Sequence, residues 1–151
     1  MAFIPNDARW YLADIVLEST IEGDSRNLVD INTCLVEADS PDQAYEKAVA
    51  LGRDSELEFL NTDGKQVRVM FRGLQELGVI HDDLEHGAEL QYRRSVNVPE
   101  GQLREWILPR EALGVFKPRQ PNWGYPNTMS EEVMQMLEAE GFDRSNLDHP
   151  K

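Results

Sequence analysis

His81-Asp82-Asp83-Leu84-Glu85-His86 places two imidazoles and three carboxylates within six residues, a dense set of potential metal ligands. Imidazole nitrogen and carboxylate oxygen together suit zinc or manganese. On a helix, His81 would share a face with Glu85, and Asp82 with His86. Gly78 and Gly87 bracket the run, however, which favours a loop or one short turn. Its spacing also fits no zinc signature. The expectation is a solvated connection between strands, holding no metal and no other cofactor.

Two further sets of side chains could react or bind. Cys34, the single cysteine, could serve as a nucleophile with His81 or His86 as its base. It lies mid-strand between Thr33 and Leu35, where a thiol usually acts as a small apolar side chain. Arg68 and Arg72 fall on one face of a strand, and Arg93 and Arg94 follow on another run. Guanidinium groups converging there would bind carboxylate or phosphate. Cross-strand pairing with the many acids nearby is the simpler expectation. No glycine-rich nucleotide loop and no G-x-S-x-G elbow occurs. The sequence therefore favours a binding protein over an enzyme. The alternative is a small enzyme or ligand-binding domain with Arg68, Arg72, His81 and His86 at the rim of a site on the sheet face.

Charge points toward one kind of partner. The 151 residues carry 28 acidic and 15 basic side chains, a net charge of −13. Residues 1–64 hold 14 acids and 4 bases, so −10 of that total lies in this part of the chain. Such a field repels nucleic acid and anionic membrane, and attracts basic proteins. One concrete form would be an immunity-type inhibitor of a basic toxin. The N-terminal stretch has no basic region followed by an apolar run, so a secretory signal is not expected. With one cysteine and no apolar run near 20 residues, a cytoplasmic protein is expected.

The elements that would position these groups are legible from periodicity. Arg9–Ser19 is rich in aromatic and β-branched residues and is apolar on both faces of its first half, as a central strand would be. The polar loop Glu22–Asn27 leads to a second strand, Leu28–Ala38, completing a long antiparallel hairpin. Ser40-Pro41-Asp42-Gln43 then supplies an N-cap serine, a proline at the first helical position and a glutamine able to close a capping box. Ala44, Tyr45, Ala48, Val49 and Leu51 recur at helical spacing, and Gly52 is placed to end the helix. A second hairpin runs from Leu57–Leu60 through Thr62-Asp63-Gly64 to Lys65–Leu77, and a last strand is expected over Ala88–Val98. The fold expected is α+β, an antiparallel sheet of about four to five strands with one main helix packed on a face.

After Pro99 the pattern changes. Glu100–Leu108 reads as a short helix and Leu113–Phe116 as a short strand or extended contact. Lys117–Thr128 is a proline-rich arm containing Trp123 and Tyr125, and a helix follows from Ser130 to about Glu140 with Val133, Met134 and Leu137 as its apolar stripe. This divides the chain into a domain over 1–116 and an arm over 117–151. The first expectation is that the arm folds back on its own domain. The second is that Trp123, Tyr125, Met134 and Leu137 dock on a protein partner or a second subunit, giving a homodimer.

One set of pieces recurs together: Trp10-Tyr11-Leu12-Ala13 with Ile15-Val16, Ile21-Glu22-Gly23, Ala44-Tyr45-Glu46-Lys47-Ala48, Phe71-Arg72-Gly73-Leu74 with Leu77, and Gly87-Ala88-Glu89-Leu90. On these pieces the stretch from Trp10 to about Tyr92 resembles a bacterial family of small domains of unknown function. The resemblance implies a compact domain and carries no activity, so it assigns no catalytic residue.

Overall fold

The computed structural model describes residues 4–117 and 130–141. They form two compact units. Residues 4–92 with 130–131 belong to the first, and residues 93–117 with 132–141 to the second.

The first unit is an α+β layer. Strands β1 (Trp10–Ile21), β2 (Asn27–Glu37), β3 (Leu57–Leu60) and β4 (Gln66–Val79) make one antiparallel sheet in the order β2-β1-β4-β3. β1 is central, as its two apolar faces require. Its pairing with β2 runs without a break from Trp10 opposite Glu37 to Thr20 opposite Asn27. Its pairing with β4 shifts twice, between Asp14 and Ile15 and between Val16 and Leu17. Gly73, opposite Val16, takes a φ of 137° there, a conformation that side chains rarely adopt.

One face of the sheet is covered by helix α1 (Pro41–Asp54). Tyr11, Ala13, Ile15, Leu17 and Ile21 of β1 form the core with Val36, Val67 and Val69, closed by Ala38, Ala44 and Ala48. The N-terminus of α1 forms as its sequence dictates. The Gln43 backbone N–H donates to Ser40 Oγ (3.1 Å) and Pro41 opens the helix. Gln43 reaches back past the cap, its Oε1 accepting from the Asp39 N–H (2.8 Å).

Two expectations are corrected. Gly52 does not end α1. The helix continues to Asp54 and is capped at Ser55, whose Oγ donates to the Leu51 carbonyl (2.8 Å). Gly52 is instead buried inside the helix because the Phe71 ring of β4 lies where its side chain would be. Nor is Ala88–Val98 a strand. Its apolar residues Leu90, Tyr92 and Val96 are all exposed, so the alternation has no core to bury against. Asn97 adopts a left-handed φ of 58°, incompatible with continuous strand.

The second unit contains α2 (Glu100–Trp106), two 3-10 turns (Arg110–Ala112 and Gly114–Phe116) and all but the first residue of α3 (Glu131–Ala139). Leu113–Phe116, expected as a short strand or an extended contact, is a 3-10 turn over Gly114–Phe116 led by an extended Leu113. Arg104 pairs with Glu100 one turn earlier (2.9 Å), and the Arg110 guanidinium lies 3.9 Å from the Phe116 ring centre. Among the described residues, no helix is long and apolar enough to cross a membrane.

Candidate functional site

The packing of α1 determines what its outer face can do. Ala44 and Ala48 are fully buried, and Gly52 continues the same inward stripe. Small residues along this stripe bring the helix close to the sheet and turn its longer side chains outward. Asp42 and Glu46, four residues apart, both stand exposed on α1, with Tyr45 beside them. Tyr45 is 57% exposed. Asp39 is exposed just ahead of the cap.

The nearby cations do not neutralise this group. Arg9 pairs with the Glu37 carboxylate, and Lys47 Nζ donates to the Glu37 backbone carbonyl (2.7 Å). Among the described residues, no Lys or Arg pairs with Asp39, Asp42 or Glu46. The result is an aromatic ring flanked by uncompensated carboxylates. Chemically, that surface offers acceptors to ammonium or guanidinium groups and a π-face to a cation.

The residues singled out from the sequence are placed as follows. Arg68 is held by Glu58 (2.6 Å) and Arg72 by Glu18 (3.3 Å), both as cross-strand ion pairs. An open depression of about 330 Å³ adjoins Arg68, lined also by Glu56, Leu57, Glu58, Val69 and Met70; neither Arg72 nor His81 reaches it. His81 lies beyond the end of β4, thirteen residues after Arg68, or about 40 Å of extended strand. The structure therefore does not bring Arg68 and His81 together. His81 and His86 are exposed in the connection after β4, where Asp82 Oδ2 accepts from the Glu89 N–H (3.0 Å). Among the described residues, no three His, Cys, Asp or Glu side chains converge to hold a metal. Cys34 is half-buried against the core. In α3, Met134 is fully buried and Leu137 half-buried, while Met136 is exposed. Trp123 and Tyr125 lie outside the described residues.

One polar assembly had no signal in the sequence. Asp24, in the β1–β2 loop, accepts from the Arg26 N–H (2.9 Å) and from its guanidinium (2.9 Å). Its Oδ2 also accepts from the Glu131 N–H (3.0 Å), at the start of α3. Arg26 closes the set by pairing with the Glu131 carboxylate (2.8 Å). Ser130 Oγ donates to Asp63 in the β3–β4 turn. The Asp24 side chain is only 5% exposed, yet its carboxyl is held well below the usual carboxylate range. The Arg26 side-chain hydrogen bond is the main cause, and with the two backbone donors it outweighs the opposing effect of burial.

Residues 10–92 match the family described as "Domain of unknown function (DUF4288)", and the chain belongs to that family. The matched segment ends at Tyr92, where the continuous part of the first unit also ends. No curated protein and no solved structure matches the chain.

Proposed function

We propose that this member of the DUF4288 family is a non-enzymatic protein-binding module whose partner is basic, engaged through the outer face of α1. The observation that carries this reading is the exposed Tyr45 set among Asp39, Asp42 and Glu46, none of them paired with a cation among the described residues. An exposed aromatic anchor with a charged rim has the composition of an interface hot spot. The −10 carried by residues 1–64 would steer a cationic surface toward it. An inhibitor covering the basic groove of a nuclease-like toxin is one partnership of this chemistry.

The reading is tested with the immobilised chain and an extract of its native host, eluted along a salt gradient. A basic protein that binds at low salt and is released as salt rises is the expected result. Retention should fall about tenfold or more in Tyr45→Ala, the loss typical of an aromatic anchor. Recovery of no basic protein, or equal retention by Tyr45→Ala, would refute it.

A further inference from the structure

Strand β2 is an edge strand eleven residues long. Edges of this length are normally guarded by lysine, proline, a bulge or a covering element. β2 has no lysine or proline, and its pairing with β1 is unbroken. On the face away from α1 it exposes Val29 (54%), Ile31 (47%) and Leu35 (47%). At one end of the strand the Glu37 carbonyl accepts from Lys47 Nζ of α1 (2.7 Å); among the described residues, no backbone–backbone hydrogen bond leaves its outer side.

The residue order of β2 is complementary to itself. If two copies run antiparallel with Asn32 opposite Asn32, all eleven residues find a partner. Val29 then faces Leu35, Ile31 faces Thr33, Leu28 faces Val36, Asp30 faces Cys34 and Asn27 faces Glu37. No acid lies opposite an acid, exposed Val29 and Leu35 of one copy meet Leu35 and Val29 of the other, and Ile31 meets the methyl-bearing Thr33. Centring two residues earlier would set Asp30 against Asp30; centring two later would set Ile31 against Glu37. The even register also matches faces, so both α1 helices lie on the same side of a continuous eight-stranded sheet.

We propose that two copies of this chain associate through their β2 strands, antiparallel and centred on Asn32. The contact strip, about 37 Å long at ~3.4 Å per residue, is modest in area, so the dimer forms reversibly with concentration. Because each chain carries −13, salt strengthens this association by screening mutual repulsion. That is opposite to the response expected for a basic partner on α1, and the proposal stands independently of that reading.

The test is sedimentation equilibrium of the full chain, from micromolar to near-millimolar concentration at low and high salt. Wild type is expected to dimerise with a dissociation constant that falls several-fold as salt rises. Asn32→Lys and Asn32→Asp, both at an exposed position, should each be monomeric with unchanged circular-dichroism melting. Mixed together, they should form a heterodimer, since the register puts the new charges face to face. A wild-type chain that stays monomeric throughout overturns the proposal. So does a dimer that survives both variants, or a mixture that fails to pair.

Discussion

The Asp24 carboxylate accepts a hydrogen bond from the backbone N–H of Glu131, 107 residues further along the chain. A side chain from the β1–β2 loop thereby serves the backbone amide of Glu131, within the same unit, an amide that has no partner within its helix. Arg26 completes the arrangement by pairing with both acids.

This arrangement predicts acid sensitivity at one residue. The folded-state pKa of Asp24 lies below its ordinary 3.8, so its contribution is fully present above that value and is lost as pH falls below it. Asp24→Asn should destabilise the protein by about 2 kcal/mol at neutral pH, through loss of charge-assisted hydrogen bonds to a buried acceptor. Thermal melting of both proteins against pH checks this. The gap between them should narrow progressively below about pH 4, as Asp24 takes up a proton in the unfolded wild type while the folded state still keeps it ionised.

Gly52 sets two effects against each other. Helix propensity alone favours Gly52→Ala by about 1 kcal/mol. The added methyl would lie 2.8 Å from Phe71 Cγ and closer still to the ring edge, so the ring must move. Overpacking typically costs ~1–3 kcal/mol. The net expectation is destabilisation by about 1 kcal/mol, read by urea unfolding, and recovered in the double variant with Phe71→Leu.

Ser19 is fully buried on the core face of β1, and among the described residues its hydroxyl has no hydrogen-bond partner. An unsatisfied buried hydroxyl costs about 1–3 kcal/mol in mutational data. Ser19→Ala should therefore raise stability by roughly 1 kcal/mol, allowing for the small void left behind. A fall in melting temperature would show that the hydroxyl is bonded.

What could be read from the sequence follows from range. The α1 N-terminus was legible because Ser40, Pro41 and Gln43 act within one turn. The central position of β1 was legible because apolar residues on both faces must be covered on both sides, as only an interior strand is. The α+β class and the family resemblance over residues 10–92 also held. Ala88–Val98 misled because alternation shows only that a strand is possible, and a strand also needs a neighbour and a core. Gly52 misled because a glycine near a helix end can serve as a cap or permit close packing, and Phe71 comes from another element. The Asp24–Glu131 contact left no local trace, since neither end has an unusual pattern of its own. As for the candidate site, the acidic bias was visible at once. That Tyr45 would be left outside was not, because its place in the helical apolar repeat suggested burial.

The central claim, that the outer face of α1 recognises a basic protein by charge and by Tyr45, is tested most directly by charge reversal. Asp42→Lys/Glu46→Lys and a control reversed at exposed Asp83 and Glu85 change net charge equally. Each would be immobilised beside wild type, exposed to native-host extract at low salt, and the retained proteins compared by quantitative mass spectrometry. The account predicts a basic protein retained by wild type and control, and reduced at least tenfold on the α1 variant. Equal loss from both variants would show that only overall charge matters, and equal retention by all three would contradict the account.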